Sequence, residues 1–143
     1  MAAESQITLL GNLTKDPKLE YTAGGTAILK MSVACNRRYK KGDEWQDETS
    51  FFFVVCWTEL AENVAASAQK GDRVVVSGRL QQRSWTTESD EKRSVVEVVA
   101  DDVALSMRYA TCAATRITRS QGQKREAKTE AAEADFFNND EPF

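Results

Sequence analysis

Residues 49–71 read TSFFFVVCWTELAENVAASAQKG, and the spacing of the apolar residues changes midway through them. The part up to Trp57 predicts a strand, because it is a short apolar run rich in Phe and Val. Beyond it the apolar residues recur at helical spacing, at Leu60, Val64 and Ala68. A helix of about ten residues is therefore predicted, with the Thr58 hydroxyl capping its start. Gly71 suits the left-handed residue just past its end.

Strands are predicted on both sides of this helix. Before it lie residues 6–13, 27–36 and 49–57, and after it lie residues 73–85 and 92–99. Residues 18–21 are a candidate short strand, and residues 102–109 close the pattern. The polar residues 37–48, with the turn signal Gly42-Asp43, predict a hairpin loop.

The order of these elements predicts the fold class. Five short strands with one helix between strands 3 and 4 are typical of an all-β, five-stranded oligonucleotide/oligosaccharide-binding (OB) barrel. A β-sandwich is the alternative, but a lone helix between the two halves of the strand set favours the barrel.

Length and composition exclude several classes of protein. The 143 residues suffice for one domain with a core. The chain has no His and three widely spaced Cys, so a disulfide framework or a cysteine zinc site is not expected, and a reducing cytoplasm fits. No Ser, Thr or carboxylate lies in a nucleophile or metal motif. We therefore expect no enzyme activity, no cofactor, no metal and no small-molecule substrate.

Neither membrane insertion nor secretion is expected. The first five residues have no basic region followed by an apolar stretch, so we predict no signal peptide. The longest apolar run, residues 51–57, is far shorter than a membrane span. A cytoplasmic location is the resulting expectation.

The net charge of −3 comes from one end of the chain. Residues 1–119 hold 16 Lys and Arg and 16 Asp and Glu, whereas residues 120–143 hold 3 basic and 6 acidic residues. The body is therefore neutral, and a local basic face on it is possible.

Strand alternation places Arg and Trp together in the strand that follows the helix. One of its faces holds Arg73, Val75, Ser77, Arg79, Gln81, Arg83 and Trp85. Single-stranded nucleic acid is bound by rings that stack on bases and by cations that follow the phosphates. A solvated face with spaced Arg is the alternative.

Two other segments show large aromatic residues. Alternation puts Phe51, Phe53, Val55 and Trp57 on one face of their strand, which a soluble protein rarely exposes without a partner; burial of both faces is the alternative. Residues 37–41, RRYKK, place four cations around one ring. Arg37, Arg38 and Lys40 are therefore candidate phosphate contacts.

The last residues, DFFNNDEPF at 135–143, combine acids, Phe residues that we expect to be exposed, and a terminal carboxylate. They follow a polar stretch without core periodicity, so we expect a disordered tail. The tip has the chemistry of a peptide that another protein holds, with Phe143 as the anchor beside Asp140 and Glu141. We divide the chain into a binding domain (1–112), a flexible linker (113–134) and an acidic docking tip (135–143).

Several short motifs occur together in this chain. They are GNL at 11–13 with DP at 16–17, VVCW at 54–57 with LAE at 60–62, KG at 70–71, GRL at 78–80, RSWT at 83–86 and PF at 142–143. In these motifs the sequence resembles the single-stranded DNA-binding proteins of bacteria and some of their phages, over essentially its whole length.

This resemblance implies a homotetramer of OB barrels that wraps single-stranded DNA. The family stacks bases on four aromatic positions, which match Tyr39, Phe51, Trp57 and Trp85. It often has Trp at the first two, so those rings are smaller here, and Trp45 has no counterpart. Two family phosphate-contacting positions match Arg83 and Lys70, and strand alternation adds Arg79.

The tail resembles the family's acidic tip, which docks on replication, recombination and repair proteins. The docking residues would be Asp140, Glu141, Pro142 and Phe143. Glu141 stands where several members have an apolar residue, and this difference bears on which partner pockets accept the tip.

The leading hypothesis is sequence-independent binding and protection of single-stranded DNA during replication, recombination and repair, at the nucleoid, with the tip recruiting partner proteins. An adaptor whose barrel mainly holds proteins is a second hypothesis. A cold-shock-like RNA binder is a third, disfavoured because such domains are usually shorter and lack this tail.

Overall fold

The computed structural model describes residues 3–118, which contain six strands and one helix. The strands are β1 (Gln6–Leu13), β2 (Lys18–Tyr21), β3 (Ala27–Lys41), β4 (Glu44–Trp57), β5 (Arg73–Thr86) and β6 (Lys92–Leu105). Helix α1 (Thr58–Ser67) lies between β4 and β5. The all-β prediction with a single helix at this place is confirmed. The candidate strand at Lys18–Tyr21 is a sixth strand, so the predicted count of five was one too low.

The strands form one sheet that closes on itself. Their order is β1-β5-β6-β4-β3-β2, and β1 also pairs with β3 at Asn12↔Ala34 and Leu13↔Val33. All pairs are antiparallel except β4 with β6, which run parallel at Val54↔Val98 and Val55↔Val99. A small closed barrel with a helix between two halves of the strand set is the predicted OB architecture.

Two glycines allow the backbones to approach closely where the barrel bends. A Cβ at Gly11 would overlap the carbonyl of Ala34, at the point where β1 crosses from β5 to β3. A Cβ at Gly78 would overlap the carbonyl of Val99. The β5–β6 register shifts between Ser77 and Gly78, so this second glycine lies where a bulge turns the strand.

The core is aliphatic and lies inside the barrel. Its most deeply buried side chains are Leu29, Val33, Val54, Cys56, Val74, Val76 and Val98. Helix α1 adds Ala61 and Val64 and packs mainly against β3. Each fully buried Leu or Val contributes about 1.5–3 kcal/mol relative to exposure. Because the core lies inside the barrel, the other face of the strands is available for a site.

The polar segment predicted as a hairpin loop at residues 37–48 is instead part of two strands. β3 continues to Lys41 and β4 begins at Glu44, with unbroken pairing down to Lys41↔Glu44. Only the predicted turn at Gly42 remains, and its φ of 65° explains why glycine is needed there. The loop prediction was wrong because a two-stranded ribbon with solvent on both faces needs no apolar alternation.

The predicted helix caps were also wrong in detail. Thr58 does not accept a helix N–H; its φ is 56° and its Oγ1 donates to the Trp57 carbonyl at 2.8 Å. Gly71 has the expected positive φ, 91°, but the helix ends earlier and Ala68 is the C-cap. Gly71 belongs to the turn in which Asp72 N–H donates to the Gln69 carbonyl at 3.1 Å.

The end of the barrel differs slightly from the prediction. Residues 92–105 form one strand, and residues 106–109 lie outside it. A compact unit spans Met1–Thr111 and a second begins at Cys112, whose described residues 112–118 contain no helix or strand. The bounds at 112 and 134 stay predictions. The docking tip and the tail from residue 119 onward lie outside the described residues.

Candidate nucleic-acid interface

One face of β4 carries exposed rings, and we call it the aromatic face. It is defined by Phe51, Phe53 and Trp57, whose exposed fractions are 61%, 54% and 41%. Directly across on β3, Ala34 pairs with Phe51 and Ser32 with Phe53. These small side chains cannot cover the Phe rings. The rings on this face are therefore exposed, as alternation indicated, whereas Val55 between them is buried.

A cavity of about 650 Å³ opens on the aromatic face. It brings Phe53 of β4 together with Arg83 and Trp85 of β5. Its other charged lining residues are Lys15, Asp16, Lys18, Lys30 and Glu97. Four cations against two carboxylates give the cavity a positive balance, and two rings supply flat apolar surface.

Two of these lysines face each other across the β2–β3 ladder. Lys18 pairs with Lys30, and like charges directly opposite are unfavourable. Lys18 Nζ lies 2.9 Å from Glu20 Oε1, and this contact lowers the pKa of the Glu20 carboxyl. One carboxylate thus serves two cations, so an anion bound between them would relieve the remaining repulsion.

Arg83 is held in place from two sides. Its Nε lies 3.4 Å from Oε1 of Glu97, and its guanidinium lies 5.1 Å from the centroid of the Trp85 ring. The Glu97 side chain is only 15% exposed, whereas that of Arg83 is 57% exposed. The carboxylate orients the guanidinium beside the ring, and most of the cation remains accessible.

Two other predicted phosphate contacts lie nearer the edges. Arg79 is half-buried on β5 and pairs with Val99, four residues along the strand from Arg83. Lys70 is exposed in the turn after α1, and its backbone N–H donates to Asp16 Oδ1 at 2.8 Å. Because Asp16 lines the cavity, Lys70 lies at its rim.

The β3–β4 hairpin carries an Arg–aromatic pair on each of its faces. Arg37 lies 5.2 Å from the centroid of Tyr39, whose Oη donates to Gln46 Oε1 at 3.1 Å. Arg38 lies 5.1 Å from the ring of Trp45. Both arginines have acidic partners, Glu48 at 2.9 Å and Asp47 at 4.0 Å. Such exposed ion pairs are worth about 0–1 kcal/mol, so both guanidinium groups can turn to a phosphate.

The predicted residues therefore fall into separate groups. Arg83 and Trp85 share the cavity, Phe51 and Trp57 flank it on β4, and Tyr39 lies on the hairpin. Sequence reasoning placed Phe53 on the exposed face without assigning it a stacking role, and it missed the lysines at 15, 18 and 30 and Glu97. Alternation had already placed Phe53 beside Phe51, and that was the available signal. The others depend on strand register, which alternation does not give.

Among the described cysteines, Cys56 is the buried one. Burial raises the pKa of the Cys56 thiol to about 12, so it is protonated at neutral pH. Within residues 3–118, no group of three or more His, Cys, Asp or Glu could hold a metal ion. No helix in this part of the chain is long and apolar enough to cross a membrane.

This closed OB barrel carries exposed rings and cations on its outer face. These are the features of a single-stranded nucleic-acid-binding protein. The family model described as the single-strand binding protein family matches residues 4–106. The chain belongs to this family, as the resemblance of its motifs predicted. The family consists of non-enzymatic DNA-binding proteins, in agreement with the expectation of no enzyme activity.

Similar proteins from three bacteria carry the name "Single-stranded DNA-binding protein". The one from Paenarthrobacter aurescens is 44% identical over 126 residues, covering 86% of this chain and 74% of its own length. That of Mycobacterium bovis is 41% identical over 146 residues, covering all of this chain and 89% of its own length. That of Mycobacterium leprae is 46% identical over 125 residues, covering 85% and 74%.

Proposed function

We propose that this chain binds and protects single-stranded DNA without regard to sequence during replication, recombination and repair. The observation that carries the proposal is the cavity in which Phe53, Arg83 and Trp85 meet. Stacking on an aromatic side chain is worth roughly 1–3 kcal/mol per base and is tolerated by every base. Rings and exposed cations therefore favour binding that is independent of sequence.

The binding path in this proposal combines the predicted residues with those seen in the structure. Bases stack on Phe51, Trp57, Trp85 and Tyr39, and Phe53 is added because it is exposed inside the cavity. Phosphates follow the cations, which are Arg37, Arg38, Lys40, Lys70, Arg79 and Arg83 with Lys15, Lys18 and Lys30. Tyr39 stays in the set because its hairpin is open to solvent on both faces.

Assembly as a homotetramer is part of the same proposal. Leu10 of β1 is 47% exposed on the outside of the barrel, beside half-buried Val75 of β5. Exposed apolar side chains on the outside of the barrel favour a subunit contact. Light scattering of the full chain tests this directly, with a mass near four times 15.9 kDa as the expected result.

The acidic tip is proposed to recruit partner proteins in the cytoplasm, at the nucleoid. Phe143 would enter an apolar pocket while Asp140 and Glu141 meet partner cations, with Pro142 between them. Deleting residues 135–143 should abolish partner binding and leave DNA binding intact. Loss of DNA binding on this deletion would contradict the division of roles and favour the adaptor hypothesis.

The decisive experiment is a titration of the full chain with oligo(dT) at several salt concentrations. We expect tryptophan fluorescence to be quenched and the affinity to fall as salt rises, by about 0.7 log units per log unit of salt for each phosphate contacted. Unchanged fluorescence together with no gel shift at low salt would reject the proposal. A clear preference for RNA of equal length would favour the RNA-binding alternative.

A further inference from the structure

Trp45 is a large aromatic residue to which no role has been assigned, and it lies near the tip of the β3–β4 hairpin. It is 60% exposed, as much as Phe51. So much exposed indole surface is unfavourable in water, and it leaves the ring accessible to a partner.

Strand register determines which face of the hairpin presents Trp45. The β3–β4 ladder is continuous from Ile28↔Trp57 to Lys41↔Glu44, without a shift. Side chains alternate along an unbroken strand, so Trp45 lies on the same ladder face as Phe51 and Phe53. Tyr39 pairs with Gln46 and lies on the opposite face. The register thus continues the aromatic face to Trp45 and not to Tyr39.

The surroundings of Trp45 supply the charge that a nucleotide needs. Lys40 is its direct cross-strand partner, and Arg38 lies on the same ladder face with its guanidinium 5.1 Å from the ring centroid. Arg38 and Asp47 are 4.0 Å apart, a long contact between exposed side chains. Such a pair contributes little, so Arg38 can exchange Asp47 for a phosphate without losing its place beside the ring.

We infer that Trp45 is a further base-stacking platform, with Arg38 and Lys40 on the adjoining phosphates. Trp45 lies six positions from Phe51, so it extends the DNA path by about 20 Å along the hairpin. The inference rests on the proposed function, because it assigns another contact to the same single-stranded DNA.

The first test makes Trp45 the only tryptophan. The chain has three Trp, so the double variant Trp57→Phe, Trp85→Phe leaves Trp45 alone while both other positions keep a ring. Binding of this variant to labelled oligo(dT) is measured separately by gel shift. We expect its fluorescence to be quenched in step with binding. Binding without any change in Trp45 emission overturns the inference and leaves the proposed function standing.

The second test compares two substitutions at the same position. Trp45→Leu keeps apolar bulk but removes the aromatic ring, and should weaken oligo(dT) binding about fivefold or more. Trp45→Phe keeps a ring and should retain most of the affinity. Equal affinity of the Leu variant and the wild type overturns the inference. Failure of the wild type itself to bind would instead reject the proposed function.

Discussion

Arg83 of β5 and Glu97 of β6 form an ion pair inside the cavity, with Nε and Oε1 3.4 Å apart. The pair has opposite consequences for a site that binds phosphate. Glu97 orients the guanidinium beside the Trp85 ring, but its negative charge also repels the phosphate that Arg83 is proposed to contact. Because the carboxylate is only 15% exposed, water screens this repulsion less than at the surface.

Glu97→Gln should therefore raise the affinity for single-stranded DNA. The amide keeps the shape and an acceptor for Arg83 but removes the competing charge. We expect a gain of about two- to tenfold at low salt, and a steeper salt dependence by up to about 0.7 in the log–log slope, as for one more phosphate contact. Titration with oligo(dT) at several salt concentrations measures both quantities.

The control for this variant is Glu62→Gln on α1. It removes the same charge from an exposed residue that does not line the cavity. If both variants gain equally, the effect is one of net charge and not of the Arg83 pair. A loss of affinity in Glu97→Gln would mean that orientation of the guanidinium outweighs repulsion.

Alternation along single strands could be read from the sequence, but pairing between strands could not. The faces holding Phe53 and Arg83 follow from the period of two. The contact of Arg83 with Glu97 depends on the β5–β6 register, which is set by a turn with Asp90 at a φ of 60°. Residue spacing does not predict a positive φ at a non-glycine residue such as Asp90 or Thr58.

The hairpin shows a second limit of sequence reasoning. Apolar alternation reveals a strand only when one of its faces is buried, and residues 36–50 of the ribbon have little core contact. The family resemblance pointed to Tyr39 as a stacking residue, and that prediction is still untested. The register that separates Tyr39 from Trp45 became visible only with the complete ladder.

Thr58→Gly should stabilise the protein. Thr58 has a φ of 56°, a region in which an L-residue costs about 1–2 kcal/mol. Glycine removes this cost but gains entropy in the unfolded chain, which leaves a net gain of about 0.5–1 kcal/mol in the free energy of unfolding. Urea or thermal unfolding measures the change.

The control is Thr58→Ala, which keeps the Cβ and loses the hydrogen bond to Trp57, so it should show no gain in stability. A gain in both variants would exclude the backbone explanation.

Cys56 should make the protein less stable in alkali. Its folded pKa is about 12 against an ordinary value of 9.0, because burial disfavours the thiolate. The unfolded thiol therefore ionises first, and the free energy of unfolding falls between about pH 9 and 12, at a limiting slope of about 1.4 kcal/mol per pH unit. Below pH 9 this contribution is constant.

The variant Cys56→Ala isolates this effect. All other ionisable groups are shared with the wild type, so the difference in slope between pH 8 and 10.5 belongs to Cys56. We expect the wild type to lose stability faster over this range in urea unfolding. Parallel curves would show that the thiol does not resist ionisation in the folded state.

Phe53 and Phe52 are adjacent and should respond in opposite ways to the same substitution. Phe53 is 54% exposed and lines the cavity, whereas Phe52 is partly buried and packs against the core. Phe53→Leu should lower oligo(dT) affinity about fivefold or more, since it removes a stacking ring, and should change stability little. Phe52→Leu should cost about 1 kcal/mol of unfolding free energy through altered packing and leave affinity unchanged.

Gel shift and urea unfolding on both variants give four measurements. If Phe52→Leu weakens binding as much as Phe53→Leu does, the two faces of β4 are not functionally distinct, and the cavity loses its place as the centre of the proposed binding path.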